Sequence, residues 1–88
     1  MSETVETKGF RNRVDLAWSK LLLRLELEYK DSKRPEAAMV PMILNLVTQL
    51  TGGSVAPVLG KTDEEAYAQY LKLLAWLQGL GEWANEDN

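Results

Sequence analysis

The segment from Phe10 to Tyr29 is apolar on two opposite sides when it is wound as an α-helix, and this constrains the fold most. At about 100° per residue, most of its apolar residues fall on one broad stripe, the front stripe. Three leucines fall on the reverse side, and we call them the leucine stripe. A surface helix of a small monomer needs only one apolar stripe, so the second stripe predicts a second partner. The front stripe comprises Phe10, Val14, Ala17, Trp18, Leu21, Leu22, Leu25 and Tyr29, and the leucine stripe comprises Leu16, Leu23 and Leu27.

The second partner of this helix is either another part of the chain or another copy of it. In the first case the helix lies between two others, and the leucine stripe belongs to the core. In the second case the leucine stripe is a self-association surface. The sequence favours self-association, because residues 39–50 add more apolar surface than a compact three-helix monomer can cover. We therefore predict a homo-oligomer that associates through Leu16, Leu23 and Leu27.

The size and composition of the chain agree with this expectation. Eighty-eight residues make at most one domain, and a domain this small is marginally stable as a monomer. The sequence contains no cysteine and no histidine, so neither a disulfide nor a structural zinc site can stabilise it. Oligomerisation is the aid that remains open to such a chain.

Proline and glycine residues divide the chain into three predicted helices. Pro35 suits the first position of the second helix, and Gly52-Gly53 is a strong signal for its end. Pro41 lies inside this helix, and we predict a kink there because proline cannot donate a backbone hydrogen bond. The alternative is a short turn over residues 35–40 that precedes a helix beginning at Pro41.

The third predicted helix follows an apolar loop, part of which we expect to pack on the core. Thr62 and Glu65 form a capping box at its start. Gly79 marks its end. Residues 80–84 are predicted to add a short fourth turn.

These elements predict an all-α fold with one three-helix domain over residues 10–84. Residues 1–9 are expected to form a flexible arm, and residues 85–88 a frayed acidic tail. No signal segment is visible, and the apolar stretches are too short to span a bilayer. The absence of cysteine suits a reducing compartment. We therefore expect a soluble protein of the bacterial or host-cell cytoplasm that does not engage membranes.

Catalytic and cofactor chemistry find little support in the sequence. Without histidine or cysteine, the chain cannot build a zinc site or a nucleophile activated by histidine. Gly60-Lys61-Thr62 resembles the end of a phosphate-binding loop, but Val55 occupies the position of that motif's first glycine. The acidic residues 63–65 suit the positive first turn of a helix. We expect no catalytic residue, cofactor, metal or small-molecule substrate.

A row of cations along the first helix makes DNA the alternative partner. Residues 1–34 carry a net charge of +2, whereas residues 35–88 carry −5. A ring of subunits would multiply the contacts of a weak basic edge. In length, helical content and charge layout, the chain resembles the small terminase subunits of short-tailed phages, although no specific motif is matched. The resemblance implies a ring that presents DNA to a motor. The candidate DNA-contacting residues are Arg11, Arg13, Lys20, Arg24, Lys33 and Arg34.

The C-terminal segment contains a candidate docking site for another protein. Trp76, Leu80 and Trp83 are spaced four and three residues apart, and Glu82 and Glu86 lie beside them. Large apolar anchors supply affinity in such sites, and charges steer the partner. In the alternative interpretation, Leu80 and Trp83 fold back onto the core of their own chain. The sequence thus predicts a non-enzymatic interaction protein, such as a phage or bacterial regulator, inhibitor, adaptor or assembly factor.

Overall fold

The computed structural model describes residues 7–86, which are predominantly helical and contain no strand. Helix α1 spans Phe10–Tyr29, and a 3-10 turn at Pro35–Ala38 leads directly into α2 at Met39–Leu50. A single-turn helix, α3, spans Ala56–Leu59, and the long helix α4 spans Asp63–Ala84. The all-α prediction is confirmed. None of these helices is long and apolar enough to cross a membrane.

Helix α1 supplies one side of the whole interior. Every member of the predicted front stripe is buried except Ala17, which is half-buried. One core cluster joins the N-terminal half of α1 to α3 and the start of α4. The other joins its C-terminal half to the 3-10 turn and the end of α4. The buried residues are Phe10, Val14, Trp18, Leu22, Val55, Ala56 and Ala66 in the first cluster, and Leu21, Leu25, Tyr29, Ala37, Leu77 and Ala84 in the second.

The predicted kink at Pro41 is wrong, because the chain changes helix type before that residue. The 3-10 turn ends at Ala38, and Pro41 is the third residue of α2. The first amides of an α-helix have no intrahelical partner, so a proline there costs no hydrogen bond. The structure is closer to the alternative of a short turn followed by a helix. Pro35 begins that turn after Arg34, whose backbone is extended with φ −115° and ψ 110°.

The predicted end at Gly79 is also wrong, because α4 continues without interruption to Ala84. Gly79 does not adopt the positive φ that ends a helix, whereas Gly52 and Gly53 do. Leu80 and Ala84 extend the apolar side of α4 and pack in the second core cluster. Tertiary packing thus outweighs the local preference of a single glycine.

The apolar loop before α4 packs on the core, as expected from its composition. Val55 and Ala56 are buried in the first core cluster, and residues 56–59 form α3. The amide of Val55 donates to a carboxylate oxygen of Asp15 at 2.8 Å. The Asp15 side chain of α1 therefore fixes the start of α3.

The carboxylate of Asp63 joins the beginnings of α1 and α4. The backbone amides of Gly9 and Arg11 each donate to one of its oxygens at 2.9 Å. Gly9 precedes α1 with a left-handed φ of 68°, which suits glycine, and α1 has no capping side chain of its own. Asp63 therefore caps a helix from 52 residues away in sequence, as measured to Arg11.

The capping residue of α4 is Thr62, as predicted. Its hydroxyl accepts from the amide of Glu65 at 3.1 Å. The Glu65 carboxylate, which the capping box predicts to reach back to Thr62, accepts from the amide of Lys61 at 3.3 Å. Of the predicted arm, only residues 7–9 are described, and Thr7 is buried. Residues 1–6 and 87–88 lie outside the described part, so the predictions for them have no structural counterpart here.

We expect Asp63→Ala to lower the free energy of unfolding by about 1–3 kcal/mol more than Glu64→Ala does. Both substitutions remove one negative charge from the first turn of α4. Only Asp63 accepts hydrogen bonds from the start of α1, so the difference isolates that contact. Urea unfolding of the two variants measures it, and equal stabilities would contradict the capping role.

Burial raises the pKa of the Tyr29 phenol above its usual value of 10.0, and the neighbouring charge of Glu28 adds to the rise. The hydroxyl is enclosed in the second core cluster and donates to the carbonyl of Leu77 at 3.3 Å. The folded state therefore favours the neutral phenol. The neutral Tyr29 phenol therefore stabilises the fold below pH 10.0, its usual pKa. This stabilisation is lost as the pH rises through the higher pKa that Tyr29 has in the folded state.

Accordingly, the wild type should lose more stability than Tyr29→Phe as the pH rises from about 9 to about 11.5, a range that brackets the usual tyrosine pKa of about 10. The variant has no phenol at position 29 to ionise. Urea unfolding at several pH values measures the difference. Lysine ionisation contributes to both proteins and cancels. Parallel pH dependences for the two proteins would rule out this account of Tyr29.

Candidate interaction surfaces

The leucine stripe of α1 faces solvent. Leu16, Leu23 and Leu27 are 61%, 58% and 66% exposed. They are therefore not core residues of their own chain, and the arrangement in which helices cover both sides of α1 does not occur in the described part. The leucine stripe is interrupted by Lys20, which lies on the helix between Leu16 and Leu23 and is exposed.

A second apolar surface lies on α2, and we call it the α2 face. It is a continuous side of the helix formed by residues spaced three or four apart. These residues are all more than half exposed, and α2 contains no charged residue. The opposite side of α2 packs through Leu44 on both core clusters. The α2 face comprises Met39, Met42, Ile43, Leu46 and Leu50.

Sequence reasoning counted the apolar residues of α2 as excess surface but did not assign them a site. The signal that identifies the α2 face is the spacing of Met39, Ile43, Leu46 and Leu50, which is four, three and four residues. This spacing places them on one line along a helix. The indole nitrogen of Trp18 donates to the hydroxyl of Thr48 at 2.8 Å, which fixes the rotation of α2 and turns this line outward.

The three predicted docking residues of α4 have different environments. Trp76 is 57% exposed, whereas Leu80 is half-buried and packs on the second core cluster. The guanidinium of Arg34 lies over the ring of Trp83, 4.7 Å from its centroid. The same guanidinium donates to the carbonyl of Trp83 at 2.8 Å and lies 3.9 Å from a carboxylate oxygen of Glu86. Trp83 is therefore engaged within its own chain, and Trp76 remains open.

The candidate DNA-contacting residues do not form one row. Arg13 donates to the carbonyl of Lys8 and lies 5.8 Å from the ring centroid of Phe10. Arg34 contacts the end of α4, whereas Arg11 binds Asp63 at its start through the backbone amide. Because α4 has 22 residues, these two ends are roughly 30 Å apart. Lys33 is exposed beside Arg34.

Lys20 and Arg24 are the two cations that the structure brings together. They line a groove between α1 and α4, and Arg24 also borders a second groove along the same helices. Glu28 and Glu82 line that second groove, so negative charge accompanies the positive charge. The second groove is thus mixed in charge, unlike a continuous basic track for a phosphate backbone.

The positions that resemble parts of catalytic or nucleotide sites have structural roles. A Cβ atom on Gly60 would lie 2.5 Å from the Cβ of Glu65, so glycine is required there for the chain to enter α4. Asp63 caps α1, as described above. Among residues 7–86, no group of three or more acidic, histidine or cysteine side chains is suited to hold a metal ion.

Comparison of the chain with protein-family models, with curated proteins and with solved structures finds no match. Three surfaces of the molecule therefore indicate its function. These are the leucine stripe, the α2 face and the exposed ring of Trp76.

We predict that Arg34→Ala destabilises the fold by about 1–2 kcal/mol, because it removes a cation–π contact and a hydrogen bond from the end of α4. Lys72→Ala is the matched control, since it also removes one positive charge, from an exposed position on α4. Thermal or urea unfolding compares the two variants. If Arg34→Ala is no less stable than Lys72→Ala, Trp83 is not held in the manner described.

Proposed function

We propose that this protein is a non-enzymatic interaction protein that works as a homo-oligomer and docks a second protein. The observation that carries the proposal is the exposure of two apolar helix sides, the leucine stripe and the α2 face, in one small domain. Exposed patches larger than a few hundred Å² mark interaction sites in most proteins. A cytoplasmic regulator, inhibitor or assembly factor of phage or bacterial origin fits this description.

The energetics of burial support association. Removing one leucine side chain from water contributes roughly 1.5–3 kcal/mol. A domain of this size has a total stability of only about 5–10 kcal/mol. Covering either apolar side in an interface would therefore contribute several kcal/mol before the cost of association is subtracted. Such a chain gains much more from association than a larger protein would.

Trp76 supports a separate docking role. An exposed tryptophan is a frequent energetic centre of protein interfaces, because its ring buries a large area when covered. It lies on the exposed side of α4, away from the core residue Leu77. The nearest charged residue to Trp76 along α4 is Lys72, four residues before it, and Glu82 follows six residues after it. The partner we propose is a protein that presents an apolar pocket to the Trp76 ring.

DNA binding is the alternative proposal, and the surfaces support it less. Of the six candidate cations, Arg13 and Arg34 are engaged with groups of their own chain. Lys20 and Arg24 are exposed, but Glu28 lies beside Arg24 in the same groove. The net charge of −3 also opposes binding to a phosphate backbone.

Sedimentation equilibrium over a wide concentration range tests the proposed function. We expect the mass to rise from 9.9 kDa toward a multiple of that value as the protein concentration increases. We also expect no retardation of duplex DNA at about 0.15 M salt, where non-specific electrostatic binding is largely screened. A constant mass of 9.9 kDa up to the millimolar range would refute self-association. Tight, salt-sensitive binding of DNA would favour the alternative.

A further inference from the structure

The α2 face has a spacing that is the same when read in either direction. Met39, Ile43, Leu46 and Leu50 are separated by four, three and four residues. Their midpoint lies between Ile43 and Leu46. A two-fold axis at that point carries each member of the line onto another member. This is the geometry required of a surface that associates with an identical copy of itself.

We propose that α2 packs antiparallel against α2 of a second copy, about a two-fold axis between Ile43 and Leu46. The inference rests on the proposed function, and it specifies which of the two apolar surfaces forms the homodimer. Ile43 then lies against Leu46 of the partner subunit, and Met39 lies against Leu50 of the partner subunit. The same contacts recur in reverse, because the interface is symmetric. The leucine stripe and Trp76 remain accessible in the dimer.

The spacing of the α2 face is that of a coiled-coil seam. Alternating steps of three and four residues keep apolar side chains facing a second helix along its length. Met39 and Leu46 occupy d positions of the heptad repeat, and Ile43 and Leu50 occupy a positions. In antiparallel pairs, an a position of one helix faces a d position of the other. The full length of α2 is used, because Met39 is its first residue and Leu50 its last.

Charge favours the α2 face over the leucine stripe as the symmetric interface. Helix α2 has no charged residue, so two copies can approach without burying an ion. In the leucine stripe, the equivalent line runs through Lys20, and two copies would bring two ammonium groups to the seam. An antiparallel arrangement also sets the positive end of each α2 beside the negative end of the other.

The exposed area of the α2 face is of the size that a weak dimer needs. Its five side chains are 54%, 69%, 54%, 53% and 77% exposed. At about 200 Å² for each fully exposed residue, they present roughly 600 Å² per copy, so a pair that covered them completely would bury about 1200 Å². This value lies at the lower limit for specific interfaces. Interfaces of this size include weak, transient complexes, and we expect the dimer to dissociate on dilution through roughly the micromolar range.

Cross-linking of single-cysteine variants tests the orientation, because the natural chain has no cysteine. Met39→Cys and Leu50→Cys are each treated with a short bismaleimide linker, alone and as an equal mixture. We expect covalent dimers in the mixture and little product from either variant alone. Efficient cross-linking of each variant alone would indicate parallel helices and would overturn the proposed orientation. The absence of product in all three samples would overturn the α2 interface.

A matched pair of charge substitutions tests the choice of surface. Leu46→Glu alters the α2 face, and Leu23→Glu alters the leucine stripe; both side chains are exposed, at 53% and 58%. We expect Leu46→Glu to weaken dimerisation at least about 100-fold, and Leu23→Glu to leave it within about 3-fold of the wild type. Sedimentation equilibrium measures both constants. Far-UV circular dichroism and urea unfolding verify that each variant is folded.

The possible failures are distinguishable. If Leu23→Glu dissociates the oligomer and Leu46→Glu does not, self-association stands and the α2 interface is overturned. If the wild type itself is monomeric at about 1 mM, the α2 interface and the self-association in the proposed function both fail. If neither substitution changes the wild-type dimer, the homodimer surface lies elsewhere and the inference is overturned.

Discussion

The fold depends on one side of one helix. The front stripe of α1 contributes to both core clusters, and α1 contacts α2, α3, α4 and the 3-10 turn. The two other main helices both pack on α1, while their backbones stay apart: no Cα atom of α2 lies within 8 Å of one in α4. Polar contacts at Trp18 and Tyr29 then fix the positions of α2 and α4 along α1.

This arrangement explains why so much apolar surface remains outside. The Cα atoms fit within a thickness of 15 Å, which corresponds to about two layers of helices. In so thin a domain every helix has a side that faces solvent. The leucine stripe is the solvent side of α1, and the α2 face is the solvent side of α2. The α2 face carries no charge, and the leucine stripe is apolar apart from Lys20, whereas a monomeric domain of this size normally has polar residues on these sides.

The periodic features of the structure could be predicted from the sequence. The spacing of apolar residues identified α1 and its buried side, because a 20-residue helix repeats the pattern more than five times. Thr62 identified the start of α4 through a local capping motif. These predictions depend only on residues that are close in sequence.

The features that were missed depend on residues distant in sequence. Gly79 looked like a helix end, but the packing of Leu80 and Ala84 against the core continues α4 past it. Asp63 looked like a residue of its own helix only, yet it caps α1. Pairing between Arg34 and Trp83 joined two residues that had been assigned to different candidate surfaces. No periodicity reveals such contacts, because they form only when the helices pack.

Methyl NMR of the methionines tests the central claim that the α2 face is covered by a second copy. The sequence has three methionines, and two of them, Met39 and Met42, lie in this face. In a dilution series of protein with ¹³C-labelled methionine methyl groups, we predict that the signals of Met39 and Met42 shift together with the monomer–dimer equilibrium. A small-molecule shift standard in the sample provides the reference. Methionine signals that stay constant while the sedimentation mass doubles would contradict the account.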